Sequence, residues 1–266
     1  MNLPYDEDTL REMELWPFLA LRRQSLMPSA EPVPPADVAV PAQSATPPRA
    51  HARPSSPTRA AASAAAIPVS ADPARAARIA QLDWNGLKIE AAACQACGLY
   101  KQRKQAVLGV GAPAAPWLFI GEGPGSEEDD QGEPFVGPAG KLLDAMLAAA
   151  GLQRGREVYI ANVVKCRPPG NRNPSAEEAL ACAPLLDRQI DLIQPKLIVA
   201  LGKIALTRLT GSEASMASMR GKLHEYRGIP VVATYHPAYL LRNLPDKLKA
   251  WEDLMFAKRA FVAAAG

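Results

Sequence analysis

The stretch WLFIGEGPG, residues 117–125, decides the fold. Its first four residues are apolar, and its last five contain three glycines. This reads as a buried strand opening into a tight loop, because glycine permits turns and close backbone approaches that a Cβ forbids. Working outward, three further runs have the same character: Val158–Lys165, Lys196–Gly202 and Ile229–Tyr235. Helical patterns alternate with them. Pro138–Ala150 repeats apolar residues at i, i+3 and i+4, and Ser175 stands three residues before Glu178 as an N-cap signal. Lys203–Leu209 and Asp246–Phe261 supply two more helices. Near-continuous Val/Ile/Leu strands alternating with helices predict an α/β fold, three-layer α/β/α around a mostly parallel four-stranded sheet. Ligands of such sheets bind beyond the carboxyl ends of the strands. That rule places Gly121–Gly125, Asn162, Gly202 and His236 along one rim.

The loop GEGPG lacks the third-glycine spacing of a dinucleotide site and the Lys-Ser/Thr of a P-loop. The acidic run Glu127–Asp130 behind it disfavours polyphosphate, so backbone donors facing a neutral or transiently anionic group fit better. Phe135, Asn162 and His236 add an aromatic ring, an amide and an imidazole to the rim. Singly each has a structural explanation; jointly they suit a planar heterocycle. The chain has four cysteines, Cys94 and Cys97 as a C-x-x-C, with Cys166 and Cys182 far downstream. No signal peptide is evident, which argues against two disulfides. The spacing suits a metal, and zinc and a [4Fe–4S] cluster both take four thiolates.

Composition divides the 266 residues. Residues 28–76 hold sixteen Ala and eleven Pro with almost no large apolar side chain, and such a segment cannot offset its own ordering entropy. Residues 28–80 are therefore read as a disordered linker. Residues 1–27 form a short N-terminal segment in which 9–26 (TLREMELWPFLALRRQSL) has helical spacing interrupted by Pro17. Residues 81–266 read as one globular domain, and the net charge of +3 falls within them. That weak basicity permits nucleic-acid binding without requiring it. No apolar run is long enough to span a bilayer.

Three segments carry a resemblance to a known family: GEGPGSEEDDQGEPFVGPAGKLLDAML (121–147), NVVKCRPPGNRNP (162–174) and HPAYLLR (236–242). With the cysteines in matching order, residues 84–262 resemble the family-4 uracil-DNA glycosylases. The resemblance implies a DNA repair enzyme that flips uracil out of single- or double-stranded DNA and hydrolyses its glycosidic bond. It also implies a [4Fe–4S] cluster on Cys94, Cys97, Cys166 and Cys182. Phe135 would stack on uracil, Asn162 would read its O4 and N3–H edge, and Glu128 would exclude the C5 methyl of thymine. His236 and backbone N–H groups near Glu122 and Gly123 would face O2. Leu240 and Leu241 would form a wedge in the vacated stack. Arg172 and Arg242 would meet phosphates, as would Lys101, Arg103, Lys104, Lys203 and Arg220. Two departures stand out. Gly123 occupies a position where another family places a water-orienting Asp, and Ala238 stands where many relatives carry Ser. The rival expectations are a relative with a broader deaminated-base target and a lesion-binding protein without turnover. The remaining expectations are a monomer in the bacterial cytoplasm near the nucleoid, no membrane association, and an N-terminal arm that recruits a repair or replication protein.

Overall fold

The computed structural model describes residues 72–265. The expectations for residues 1–27, and for the linker up to residue 71, lie outside the described residues.

All four expected strands form: β2 (Trp117–Gly121), β3 (Val158–Asn162), β4 (Leu197–Leu201) and β6 (Ile229–Thr234). They pair in parallel in the order β3-β2-β4-β6. The sheet has six strands rather than four. Short antiparallel strands flank this core, β1 (Val110–Gly111) on β3 and β5 (Leu223–Tyr226) on β6. Because β2 has later strands on both sides, the chain reverses direction across it. Such a switch point leaves a crevice at the carboxyl ends of the strands.

Successive side chains of a strand face opposite ways, and both faces here are covered. Leu118, Ile120, Ile198, Ala200, Val231 and Ala233 enter one apolar cluster. It also takes in Ile79 from α1 (Pro73–Ile79), Leu87 from α2 (Trp84–Ala93), Leu186 from α5 (Ala176–Ile193) and Leu206 from α6 (Lys203–Thr210). Phe119, Ile160, Val199 and Val232 enter the other, with Leu143 from α4 (Pro138–Ala149), Leu240 from α8 (Pro237–Leu240) and Leu254 from α9 (Lys247–Ala265). Two short helices, α3 (Ser126–Gln131) and α7 (Met216–Met219), complete the set. Among the described residues no helix is long and apolar enough to cross a membrane.

Residues 73–79, expected to belong to the linker, form α1. Asp72 caps α1 by accepting from the Arg75 N–H, and Ile79 is fully buried. Ala-rich sequence resembles the linker but is also helix-favouring, and one buried Ile with a cap is enough to dock this turn. Farther on, the expected capping box is present: Ser175 Oγ accepts from Glu178 N at 3.1 Å, and Glu178 Oε2 from Ser175 N at 2.8 Å.

Candidate base-binding site

A cleft of about 550 Å³ opens at the carboxyl rim, lined by Glu122–Gly125, Glu128, Phe135, Asn162, Arg172, His236, Tyr239 and Arg242, among others. The structure thus brings together the aromatic ring, the amide and the imidazole expected on the rim.

Asn162 ends β3 and is 2% exposed, and its Oδ1 is a buried acceptor without a partner in the described protein. Its backbone carbonyl accepts from the buried Lys165 Nζ at 2.7 Å, and that ammonium also donates to Gln189 Oε1. The strand end is therefore held from behind, and the side-chain oxygen is left for a ligand donor. Phe135 lies nearby. A Cβ at Gly121 would come within 2.5 Å of Asn162 Oδ1 and 2.6 Å of Phe135 Cζ, so only glycine leaves these two groups their places.

Phe135 has φ 57°, the left-handed region that a bulky residue rarely enters. Arg154 holds it there, donating to Pro134 O and Phe135 O, both at 2.8 Å, while its Nε pairs with Asp144. His236 stands beside Phe135, the ring centroids 5.4 Å apart and the rings tilted by 30°. Its Nδ1 is positioned to accept from Ala238 N at 3.2 Å, which leaves the proton of a neutral ring on Nε2. Burial pushes its pKa down to about 4, and the Arg242 charge acts in the same direction, with Glu128 opposing. The imidazole is neutral at physiological pH, a donor that carries no charge.

Glu128 lines the cleft, but its carboxylate is engaged by backbone. Oε2 accepts from Gly125 N at 3.0 Å, and Oε1 accepts from Val136 N at 3.1 Å and Gly137 N at 3.2 Å. It ties the glycine loop to the Phe135 loop. Burial raises the pKa of Glu122, the other carboxylate on the wall. At Gly123 a Cβ would meet Val164 Cγ2 at 2.7 Å, which explains why no larger residue stands there.

Leu240 must be corrected. It is fully buried in the core beneath the cleft, because the turn of α8 directs it inward, and it cannot be a wedge. Leu241, 42% exposed, remains accessible. Among the cationic candidates, Arg103 turns to Cys166, Arg220 pairs with Asp253 at 2.6 Å, and Arg172 forms a bidentate pair with Glu178 at 2.7 and 2.8 Å. Arg242 is exposed at the rim.

The four cysteines all line one small cavity, together with Lys165 and Arg103. Arg75 Nη2 lies 3.2 Å from Cys94 Sγ, Arg103 Nη1 2.9 Å from Cys166 Sγ, and Lys165 N 3.3 Å from Cys182 Sγ. Burial raises the pKa of Cys97 and Cys166 and pushes Cys182 up to about 12. Such buried sulfurs become thiolates only against positive charge. Among the described residues no three His, Cys, Asp or Glu side chains close on a single-ion point. Four sulfurs around one cavity, with donors to three of them, are a ligand set of the kind that zinc and iron–sulfur groups take.

A mostly parallel sheet carries this cleft at its carboxyl rim, and residues 108–255 match the Uracil DNA glycosylase superfamily. A type-4 uracil-DNA glycosylase of Thermotoga maritima is 46% identical over 169 residues, 62% of this chain and 88% of that protein. One from Sulfurisphaera tokodaii is 46% identical over 176 residues, 63% of this chain and 79% of that protein. A type-5 uracil-DNA glycosylase of Thermus thermophilus is 34% identical over 155 residues, 49% of this chain and 68% of that protein. The chain belongs to the type-4 uracil-DNA glycosylase family.

Proposed function

We propose that this protein excises uracil from single- and double-stranded DNA, hydrolysing the N-glycosidic bond and leaving an abasic site. The observation that carries the reading is the unpartnered buried Oδ1 of Asn162 beside the Phe135 ring. An acceptor fixed there suits the N3–H of uracil, with the amide N–H group directed to O4. Cytosine presents the reverse pattern, and each buried group left unpaired costs about 1–3 kcal/mol. The base must leave the stack to reach this depth.

Phe135 would stack on the flipped ring while Arg154 and Glu128 hold its loop. The neutral His236 would donate from Nε2 to uracil O2, where negative charge grows as the bond to C1′ stretches. One such donor is worth roughly 2.7–4 kcal/mol in comparable oxyanion sites. A neutral donor stabilises that charge without surrendering its proton, so uracil departs as an anion. With no Asp at position 123, Glu122 on the cleft wall would be the carboxylate that orients water toward the sugar. Glu128 would narrow the space near C5.

Cys94, Cys97, Cys166 and Cys182 would hold a [4Fe–4S] cluster. Bound there, it supplies a brace between α2, the segment after β3 and α5 rather than a redox step. Lys165 links the cysteine cavity to the Asn162 carbonyl. The remaining parts of the reading are a monomer acting in the cytoplasm at the nucleoid, with Leu241 and Arg242 against DNA and an N-terminal arm that docks a repair or replication protein. The test is incubation with a uracil-containing oligonucleotide followed by alkali cleavage, with cytosine and thymine controls. Strand breakage only at uracil supports the reading, and no breakage overturns it.

A further inference from the structure

A stack of three planar groups rises beside the cleft. The Arg220 guanidinium carbon lies 4.8 Å from the Tyr235 ring centroid, and the Tyr235 centroid lies 5.0 Å from that of Tyr239, with the two rings 21° apart. The inner end is fixed, because Arg220 Nε pairs with the buried Asp253 and Arg220 Nη2 donates to Lys249 O. The outer end is fixed as well, because the Tyr239 hydroxyl donates to Asp246 Oδ2 at 2.6 Å and Lys249 pairs with that carboxylate. Tyr235 is half-buried between these two contacts. Tyr239 has one face on Tyr235, is only half-buried, and lines the cleft with His236 and Arg242.

We propose that Tyr239 is a stacking platform for the nucleotide next to the flipped uridine, with Arg242 beside it on that nucleotide's phosphate. This goes beyond the pocket for the flipped base and rests on the reading of the protein as a DNA glycosylase. Every base has a π-face, so a rigid ring at the rim binds a neighbouring nucleotide whatever its identity. The ladder holds the ring in place before DNA arrives, so little side-chain freedom remains to be lost on binding. A single strand, with its bases already unstacked, benefits most.

The test uses the full chain and a single-stranded oligonucleotide carrying a tetrahydrofuran abasic analogue, so binding is read without excision. Tyr239→Ala and Tyr239→Leu should weaken binding about 5- to 150-fold, the range of one lost base–aromatic stack. Tyr239→Phe, which loses only the Asp246 contact, should bind within about twofold of the native protein. The salt slope should be unchanged in all three, whereas Arg242→Ala should flatten it by about one unit. Equal binding by the native, Leu and Phe proteins overturns the platform. So does equal loss in Phe and Leu, which would make the hydroxyl bond a structural prop, or a fall in saturating rate without a change in binding, which would make the ladder a support for His236. Should Tyr239→Ala fail to fold, the Leu and Phe pair carries the test. If the native protein neither binds the abasic strand nor cleaves at uracil, the glycosylase reading itself fails, a distinct result.

Discussion

His236 sits between a backbone donor on Nδ1 and the cleft on Nε2, and burial keeps it neutral. His236→Ala should therefore slow single-turnover uracil excision on the order of a hundredfold or more while leaving DNA affinity near native. A variant with a near-native single-turnover rate would remove the leaving-group role. The same burial has a stability signature. Its folded pKa of about 4 lies below the ordinary value of 6.5, so between those values the unfolded chain binds the proton more tightly. The histidine therefore lowers stability as pH falls through that window. His236→Gln should lose less melting temperature than the native protein between about pH 7 and about pH 5, as differential scanning calorimetry would show. Asn162→Asp keeps an acceptor at Oδ1 and loses the amide donor, so uracil excision should fall and any gain should be at cytosine.

Glu128 acts at the level of elements, because its three backbone bonds join the loop before α3 to the loop before α4. Glu128→Ala would leave three half-buried N–H groups unpaired, at about 1–3 kcal/mol for each that water does not reach. Melting temperature and uracil excision should both drop. A variant with intact melting temperature and new thymine excision would instead make the carboxylate a steric gate. None of these bonds is legible in the sequence, where Glu128 is one of four consecutive acidic residues. The four central strands are legible because both their faces are largely covered and their residues are therefore mostly apolar. The flanking pair is not. Val110–Gly111 is two residues long, and only Tyr226 of Leu223–Tyr226 is buried, so pairing to a neighbour is what makes them strands. Leu240 and Leu241 are alike in the sequence, and only the turn of α8 separates a core side chain from an accessible one. Phe135 is legible as an aromatic at the rim, but its role on uracil comes from the resemblance, since no periodic pattern marks a ring set at positive φ.

For the whole molecule, α1 decides where the N-terminal arm stops being dispensable. Deleting residues 1–71 should leave uracil excision on short oligonucleotides near native. Deleting residues 1–80 removes Ile79 from the core and Arg75 from Cys94, and should lower the melting temperature and the iron content together. Equal behaviour of the two truncations would show that α1 is only an appendage. The cysteine cavity has its own test. Anaerobically purified protein should be brown, absorbing near ~400 nm with about four irons per chain, and Cys166→Ser should lose the colour and melt lower. Zinc-loaded, colourless protein from iron-replete cells would reject the cluster.

The glycine at 121 has a genetic corollary. Glycine is written GGN, so a uracil left in the template strand opposite either of its first two guanines is copied into a serine, arginine, aspartate or glutamate codon. Every one of these adds the Cβ that Asn162 and Phe135 leave no room for. The lesion proposed as this protein's substrate is thus one that, left unrepaired in its own gene, would close its pocket. Lineages that lose the activity should find it hard to recover, since only an exact reversion reopens the site.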